Sequence, residues 1–415
     1  MAKIRPFRGL RPEKKLAAKV AAPPYDVLSS DEAREKAAGN PYSFLHVNKP
    51  EIDLPQEINI YDRQVYEKGA ENLQRLVADG ILRRDEQPRF YIYKQVMGNH
   101  EQIGLVAGAS VEEYEQDRIK KHELTRPDKE DDRVNHIDHL NAQVGPVFLT
   151  YRARPKIDAL IAEVVKRAPE YDFNSEGVQH TLWVVDMPGI IEKLQQEFAR
   201  IGYLYVADGH HRSAAAMRIK QKRQAANPAH TGNEAYNFFL TVIFPHNQMQ
   251  ILDYNRVVAD LHGLSPEAFL EAVGEKFTVT PVKDSHAGKP AAAHDFGMYL
   301  GGNWYRLSAR PGSFDAEDPV QRLDVSILQE NLLAPLLGIH DPRKDKRIDF
   351  VGGIRGMREL EKRVNSGQYQ VAFAFYPTSI EDLIAIADAG QIMPPKSTWF
   401  EPKLKSGLVV HLLDE

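Results

Sequence analysis

Cysteine is absent from the 415-residue sequence. Without it the chain can form no disulfide, bind no metal through sulfur and use no thiol nucleophile. The sequence also has no apolar run near the ~18 residues that a membrane-spanning helix needs. Nor does it contain the Gly-x-x-x-x-Gly-Lys-Ser/Thr motif of P-loop proteins. We therefore expect a cytoplasmic protein that has no membrane partner and no thiol chemistry.

Basic residues are fewer than acidic ones, with 53 lysines and arginines against 58 aspartates and glutamates and a net charge of -5. This balance weighs against a nucleic-acid partner, which would favour a basic surface. Hydrophobic residues make up 42% of the sequence and charged residues 27%, as is typical of a folded soluble protein. We expect a small-molecule substrate as the partner and leave a homodimer open.

Helical and strand-like segments alternate along the chain, which predicts a mixed α/β (α+β) fold. Apolar residues at helical spacing predict a helix over residues 62–77. Two β-rich segments, 89–96 and 102–111, are joined across a short glycine turn and predict a hairpin. A long helix is predicted near residues 320–337.

The length of the chain corresponds to two or three domains of ordinary size. The change in pattern near residues 230–250 is the best place for a boundary. We therefore expect a first domain over residues 1–235 and a second, mixed α+β domain over residues 236–415.

The strongest chemical signal is a predicted strand that turns through glycine into an alanine-rich helix, at Asp208-Gly209-His210-His211-Arg212 followed by Ser213. The start of a helix exposes unpaired backbone N–H groups and the positive end of its dipole, which together favour an anion. Gly209 permits close backbone approach, and Arg212 can fork onto phosphate oxygens. Asp208 could hold a ligand hydroxyl, a magnesium ion or a histidine. The competing interpretation is a capping aspartate followed by two surface histidines.

Three other segments contain candidate residues. Asp26 follows two prolines and could act on a substrate hydroxyl, or simply form a turn. The charged run that includes His122, Glu123, Thr125 and Arg133 could form part of a site, although such runs usually form solvated faces. Lys396 could reach a ligand from a proline-rich segment, for which a structural turn is the simpler interpretation.

These motifs resemble two known groups of proteins. The loop resembles the signature of the ParB/sulfiredoxin superfamily, whose members bind nucleotide phosphates at that helix start. Over nearly its whole length the chain is similar to the bacterial family called domain of unknown function 1015. That similarity is carried by Pro23-Pro24-Tyr25-Asp26-Val27, Lys121-His122-Glu123-Leu124-Thr125, Asp132-Arg133, Gly145-Pro146-Val147-Phe148, the Gly-His-His-Arg loop and Pro394-Pro395-Lys396-Ser397-Thr398-Trp399-Phe400. It implies a ParB/sulfiredoxin-like core with long insertions in residues 1–235.

The resemblance also implies an activity. Sulfiredoxins have their nucleophilic cysteine where this chain has His210, so sulfinic-acid reduction is excluded. The archaeal free-serine kinases keep a similar Asp-Gly-His-His-Arg run and transfer a phosphoryl group between nucleotide and serine. The expected reaction is therefore phosphoryl transfer from ATP or ADP with Mg²⁺ to a small hydroxyl metabolite, with serine or phosphoserine the most specific guess. The alternatives are a non-catalytic ParB-like nucleotide-binding module and a phosphohydrolase.

The resemblance assigns expected roles to the candidate residues. Asp26 and Glu123 compete for the role of base, and Asp208 and His210 are further catalytic candidates. The phosphate-binding candidates form one run, Gly209, His210, His211, Arg212 and Ser213. The secondary candidates are Tyr25, His122, Thr125, Arg133 and Lys396.

Histidine pairs raise the question of a metal. His136 and His139 are three residues apart, and His210 and His211 are adjacent. Such pairs are common among 15 histidines, and no His-Glu-x-x-His run supports zinc. We expect no tightly bound metal, only magnesium arriving with a nucleotide.

Overall fold

The computed structural model describes residues 2–414, which form two compact units. The first unit contains the residues up to 249 together with those from 402 onward, and the second contains residues 250–401. Within residues 2–414, no helix combines the length and the apolar character that a membrane crossing requires.

The described residues form 21 strands. In chain order these are β1 (Ile4–Arg5), β2 (Leu10–Pro12), β3 (Leu82–Arg84), β4 (Phe90–Met97), β5 (His100–Ser110), β6 (Ile119–Lys120), β7 (Ala142–Gln143), β8 (Val147–Tyr151), β9 (Tyr171–Ser175), β10 (Val178–Val185), β11 (Leu204–Asp208), β12 (Phe238–Pro245), β13 (Ile251–Leu252), β14 (Tyr254–Val258), β15 (Phe277–Val282), β16 (Asp295–Leu300), β17 (Asn303–Ala309), β18 (Ile348–Gly352), β19 (Val371–Phe375), β20 (Trp399–Phe400) and β21 (His411–Leu412).

The same residues form 14 α-helices. These are α1 (Ala17–Val20), α2 (Ser30–Ala37), α3 (Leu45–Asn48), α4 (Arg63–Ala78), α5 (Val111–Glu115), α6 (Pro127–Leu140), α7 (Pro155–Val164), α8 (Pro188–Phe198), α9 (His210–Ala226), α10 (Pro266–Gly274), α11 (Ser285–Gly288), α12 (Asp324–Leu328), α13 (Met357–Asn365) and α14 (Ile380–Asp388). The mixed α/β class predicted from the sequence is confirmed, as are α4 and the hairpin of β4 and β5.

A nine-stranded mixed sheet organises the first unit, in the order β6-β11-β8-β12-β5-β4-β10-β9 with β1 beside β5. β12 lies in the middle, parallel to β8 and antiparallel to β5. Every residue of β12 is buried, because its apolar sequence packs on both faces of the sheet. β11 lies next to the edge, between β6 and β8. The chain leaves β11 directly into α9, so the sheet positions the start of that helix.

The second unit has its own antiparallel sheet of six strands, in the order β15-β17-β16-β19-β14-β18. A separate pair, β13 with β20, joins the two places where the chain enters and leaves this unit.

The division into units differs from the expected one, 1–235 and 236–415, in two respects. β12 belongs to the first unit because it hydrogen-bonds to β5 and β8, so the boundary follows residue 249. Residues from 402 onward also return to the first unit, where β21 pairs with β7.

The helix predicted over residues 320–337 is shorter in the structure. Amides of Val320 and Gln321 bond to the Asp318 carboxylate in a turn, and α12 passes into a π-helical stretch over Gln329–Leu333.

Candidate active site

The start of α9 depends on Gly209. Its backbone has φ +100° and ψ +31°, in the left-handed region that a residue with a Cβ rarely adopts. As the N-cap, Gly209 has no side chain that could accept a hydrogen bond from the helix amides. The first i→i−4 hydrogen bond of the helix runs from the Ser213 N–H to the Gly209 carbonyl at 2.9 Å. The amides of the three preceding helical residues therefore have no acceptor within the helix. Free amides at a helix start are the feature on which the expected anion site depends.

Replacing Gly209 with alanine is expected to destabilise the protein in two ways. The left-handed backbone costs about 1–2 kcal/mol with a Cβ present. The added Cβ would also lie 3.1 Å from Arg212 Nε and displace the guanidinium. Gly98→Ala is the matched control, because Gly98 has φ +59° and an added Cβ meets nothing within 4 Å. Chemical denaturation should show a larger loss for Gly209→Ala, and equal losses would contradict the contact with Arg212.

Arg212 lies inward from the helix start and is only 9% exposed. Its Nη1 donates to the Pro146 carbonyl, and its Nη2 lies 3.9 Å from Asp26 Oδ2 and 3.7 Å from Asp208 Oδ1. These separations exceed the 2.7–2.9 Å of a close charged hydrogen bond. Its Nε is buried and has no hydrogen-bond partner among residues 2–414. Burial lowers the pKa of Arg212, but the two carboxylates outweigh it, so the pKa is raised and the cation persists.

Asp208 ends β11 and accepts a hydrogen bond from Lys403 Nζ at 3.2 Å. Burial raises the pKa of this carboxyl, but Lys403 and Arg212 together hold it well below its usual range. Asp208 is therefore an anion between two cations at neutral pH. Lys403 was missing from the sequence-based candidates, because it comes 195 residues after Asp208 and no motif surrounds it.

Removing the Lys403 charge is expected to weaken the fold in a pH-dependent way. In Lys403→Met, Asp208 loses the cation that hydrogen-bonds to it, at a cost of about 1–3 kcal/mol near pH 7. A carboxyl with a lowered folded pKa contributes stability above its unfolded pKa and loses that contribution as pH falls through the folded value. The difference between wild type and variant should therefore be full above about pH 5 and shrink in acid. Lys222→Met, which removes an exposed pair with Asp138, should change stability little at any pH.

Arg133 does not lie on a solvated face, although other residues of its charged run are exposed. Arg133 is buried and bonds to the neighbouring Asp132 carboxylate at 2.6 and 2.9 Å. Its guanidinium carbon lies 3.8 Å from the centroid of the Tyr25 ring, a cation–π contact that places Tyr25 beside the site. Burial, followed by the nearby Asp26 charge, raises the pKa of Tyr25 well above its usual value. A cavity of about 30 Å³ lined by Tyr25, Arg133 and Arg212 has room for about two water molecules.

Two histidines from separate segments meet at the same helix start. His122 precedes α6 and His210 begins α9, and their Nε2 atoms are 3.4 Å apart. Ligand atoms of His122, Glu123 and His210 all lie within 4.8 Å of one another. Burial lowers the pKa of His122 to about 4 and that of His210 well below its usual value, so both are neutral at pH 7.

The side chains of three other candidate residues form hydrogen bonds with neighbouring groups of the protein. His211 Nε2 accepts a hydrogen bond from the Arg126 N–H at 3.1 Å. Thr125 donates to Glu130 within the first turn of α6. The Ser213 hydroxyl is fully buried and donates to the Gly209 carbonyl at 3.1 Å, so it completes the helix turn.

Lys396 belongs to the second unit, where its ammonium lies 5.6 Å from the ring centroid of Tyr254. The structure brings six candidate residues together near the start of α9: Tyr25, Asp26, Arg133, Asp208, Gly209 and Arg212. A second group consists of His122, Glu123 and His210. His210, the first residue of α9, connects the two groups.

The comparisons with known structures give weak, extended similarities. A conserved hypothetical protein from Pyrococcus furiosus is 10% identical, with 72% of this chain and 90% of that chain covered and a TM-score of 0.33. A free serine kinase in complex with AMP is 12% identical, with 72% and 86% covered and a TM-score of 0.34. SbnI with a C-terminal truncation from Staphylococcus aureus is 13% identical, with 73% and 86% covered and a TM-score of 0.37. Scores of this size carry no conclusion about activity.

The sequence comparisons are more decisive. No curated protein matches the chain. The family model DUF1015, described as a protein of unknown function, matches residues 4–326. This match confirms the family indicated by the sequence motifs. Because it extends over more than half of the sequence, the chain belongs to the DUF1015 family.

Proposed function

We propose that this protein is a nucleotide-dependent phosphotransferase that acts on the hydroxyl group of a small metabolite, with serine or phosphoserine as the first substrate to test. One observation carries the proposal. At the start of α9, a buried guanidinium with an unpartnered Nε lies beside helix amides that have no acceptor within the helix. Buried donors usually have acceptors, so this arrangement calls for an anion.

The cations at the site support binding of phosphate groups. Both cations lie close to the Asp208 carboxylate. The nearest Arg212 nitrogen is 3.7 Å from it, and Lys403 Nζ is 3.2 Å from it. A phosphate oxygen can compete for these donors, because phosphate carries more charge than a carboxylate. The cavity beside Arg212 has a volume of only about 30 Å³. The nucleotide base and sugar must therefore lie outside it.

A nucleotide would bring Mg²⁺, which prefers oxygen ligands. Asp208 supplies a carboxylate oxygen 3.7 Å from Arg212 Nη2, so the donor chemistry fits that ion. When bound, the ion would neutralise charge on the phosphates. The protein's own part is to hold the phosphates at the helix amides and Arg212 and to orient the acceptor.

Asp26 is the base in this proposal. Its side chain is 41% exposed and faces Arg212, so a substrate hydroxyl can reach it from solvent next to the bound phosphate. Phosphoryl transfer depends mainly on positioning and charge, and a carboxylate that accepts or orients the hydroxyl proton meets that need. Glu123 lies instead beside His122 and His210.

The direct test is to incubate the purified protein with Mg²⁺, ATP or ADP and serine, and to detect phosphoserine by mass spectrometry. The reverse reaction, from phosphoserine with AMP or ADP, tests the other direction. Phosphoserine formed only with nucleotide supports the proposal. Phosphate released from phosphoserine without nucleotide would assign a phosphohydrolase, and nucleotide binding without turnover would assign a regulatory module.

A further inference from the structure

The pair of buried imidazoles at His122 and His210 is not explained by phosphoryl transfer. His122 is 2% exposed and His210 is 6% exposed. Their rings meet edge to face, with centroids 4.5 Å apart and an interplanar angle of 87°. Their Nε2 atoms are 3.4 Å apart. The fold thus buries two titratable side chains in contact with each other.

A direct hydrogen bond between the rings is a poor explanation for this arrangement. The 3.4 Å separation is longer than the 2.7–3.2 Å of ordinary hydrogen bonds from nitrogen. The spacing is better explained by a third group that both Nε2 atoms contact.

The distance between the Nε2 atoms fits a metal ion. A tetrahedral ion bound to two imidazoles at about 2.0–2.1 Å separates the two nitrogens by about 3.4 Å. Glu123 adds a carboxylate oxygen, and one ligand atom from each of the three residues lies within 4.8 Å of the other two.

We propose that His122 Nε2, His210 Nε2 and a carboxylate oxygen of Glu123 bind one divalent transition-metal ion of the zinc class. Two imidazoles and one carboxylate suit zinc, whereas magnesium prefers oxygen ligands alone. Three protein ligands leave one tetrahedral position for water or an anionic oxygen. Glu123 is only half-buried, so solvent can reach this side of the site. The inference does not depend on the proposed phosphotransferase activity.

The site differs from the pairs that the sequence offered. His136 Nε2 contacts the Val47 carbonyl at 2.9 Å, and His139 Nδ1 contacts the Asn135 carbonyl at 2.7 Å. His211 turns toward Arg126. The two ligand histidines lie 88 residues apart, and only the fold brings them together.

The test is metal binding itself. Protein stripped with a chelator is titrated with Co²⁺, whose visible spectrum reports tetrahedral coordination, and Zn²⁺ is then used as a competitor. We expect one equivalent to bind and Zn²⁺ to raise the melting temperature. His122→Gln, His210→Gln and Glu123→Gln should each weaken binding by more than the roughly 10- to 100-fold that loss of an outer partner costs.

His411→Gln is the matched control. His411 is equally buried, at 3%, but its Nε2 contacts the Ala235 carbonyl at 3.1 Å, so the variant should bind Co²⁺ as wild type does. Wild-type protein that binds no stoichiometric Co²⁺ or Zn²⁺ would overturn the proposal, and so would ligand variants with unchanged affinity. Glu123→Gln keeps the shape of a half-buried side chain. If a histidine variant fails to fold, the Co²⁺ affinity of Glu123→Gln therefore still tests the proposed site.

Discussion

Arg212→Ala is expected to weaken nucleotide binding by about 10- to 150-fold, the affinity equivalent of one charged hydrogen-bonding group. The substitution removes the buried cation and its Nε donor while the helix amides remain in place. Arg212→Lys should fall between wild type and alanine, because lysine keeps the charge but lacks the planar fork. Equilibrium titration with Mg²⁺ and ATP or ADP measures all three proteins.

Arg223→Ala is the control for this experiment. Arg223 lies on the same helix but bonds to Asn141 and Leu413, at the end remote from Gly209. The nucleotide affinity of the Arg223→Ala variant should equal that of wild type. If Arg212→Ala folds and still binds nucleotide normally, the anion does not lie at the start of α9.

Asp26→Asn is expected to lower the rate of phosphoryl transfer by about 10²- to 10⁴-fold, the usual contribution of a positioned acid–base group. The amide keeps the shape of the side chain but cannot accept the hydroxyl proton. Nucleotide affinity should stay near that of wild type, because Asp26 is 3.9 Å from Arg212 and makes no close bond to it. Single-turnover kinetics and equilibrium binding separate the two effects.

Asp79→Asn serves as the control for Asp26→Asn, because Asp79 is an exposed carboxylate at the end of α4. It should leave both the rate and the affinity unchanged. A full transfer rate in Asp26→Asn would exclude Asp26 as the base. A large loss of affinity without a loss of rate would make it a binding group instead.

The local parts of the site were predictable from sequence. Asp208, Gly209 and Arg212 lie within five residues, so their relation follows from the strand, the turn and the first turn of the helix. The period of the hydrophobic residues likewise predicts α4. Both inferences depend on neighbours in the chain, where backbone geometry alone fixes which groups meet.

The long-range parts were not predictable. Lys403 reaches Asp208 because the end of the chain returns to the first unit, which no local pattern indicates. Arg133 was a secondary candidate in a run whose other interpretation was a solvated face, and its burial depends on the contact with Tyr25, 108 residues away. The position of β12 also depends on pairing with strands far apart in sequence. In each case the decisive partner is distant in the chain.

The most direct test of the central claim is a crystal structure of the protein with bound ADP and Mg²⁺. We predict that the terminal phosphate lies within hydrogen-bond distance of the amides of His210, His211 and Arg212, with the Arg212 guanidinium turned toward it. A nucleotide bound elsewhere, with these amides facing only solvent or protein, would contradict the assignment of this helix start as the phosphate site.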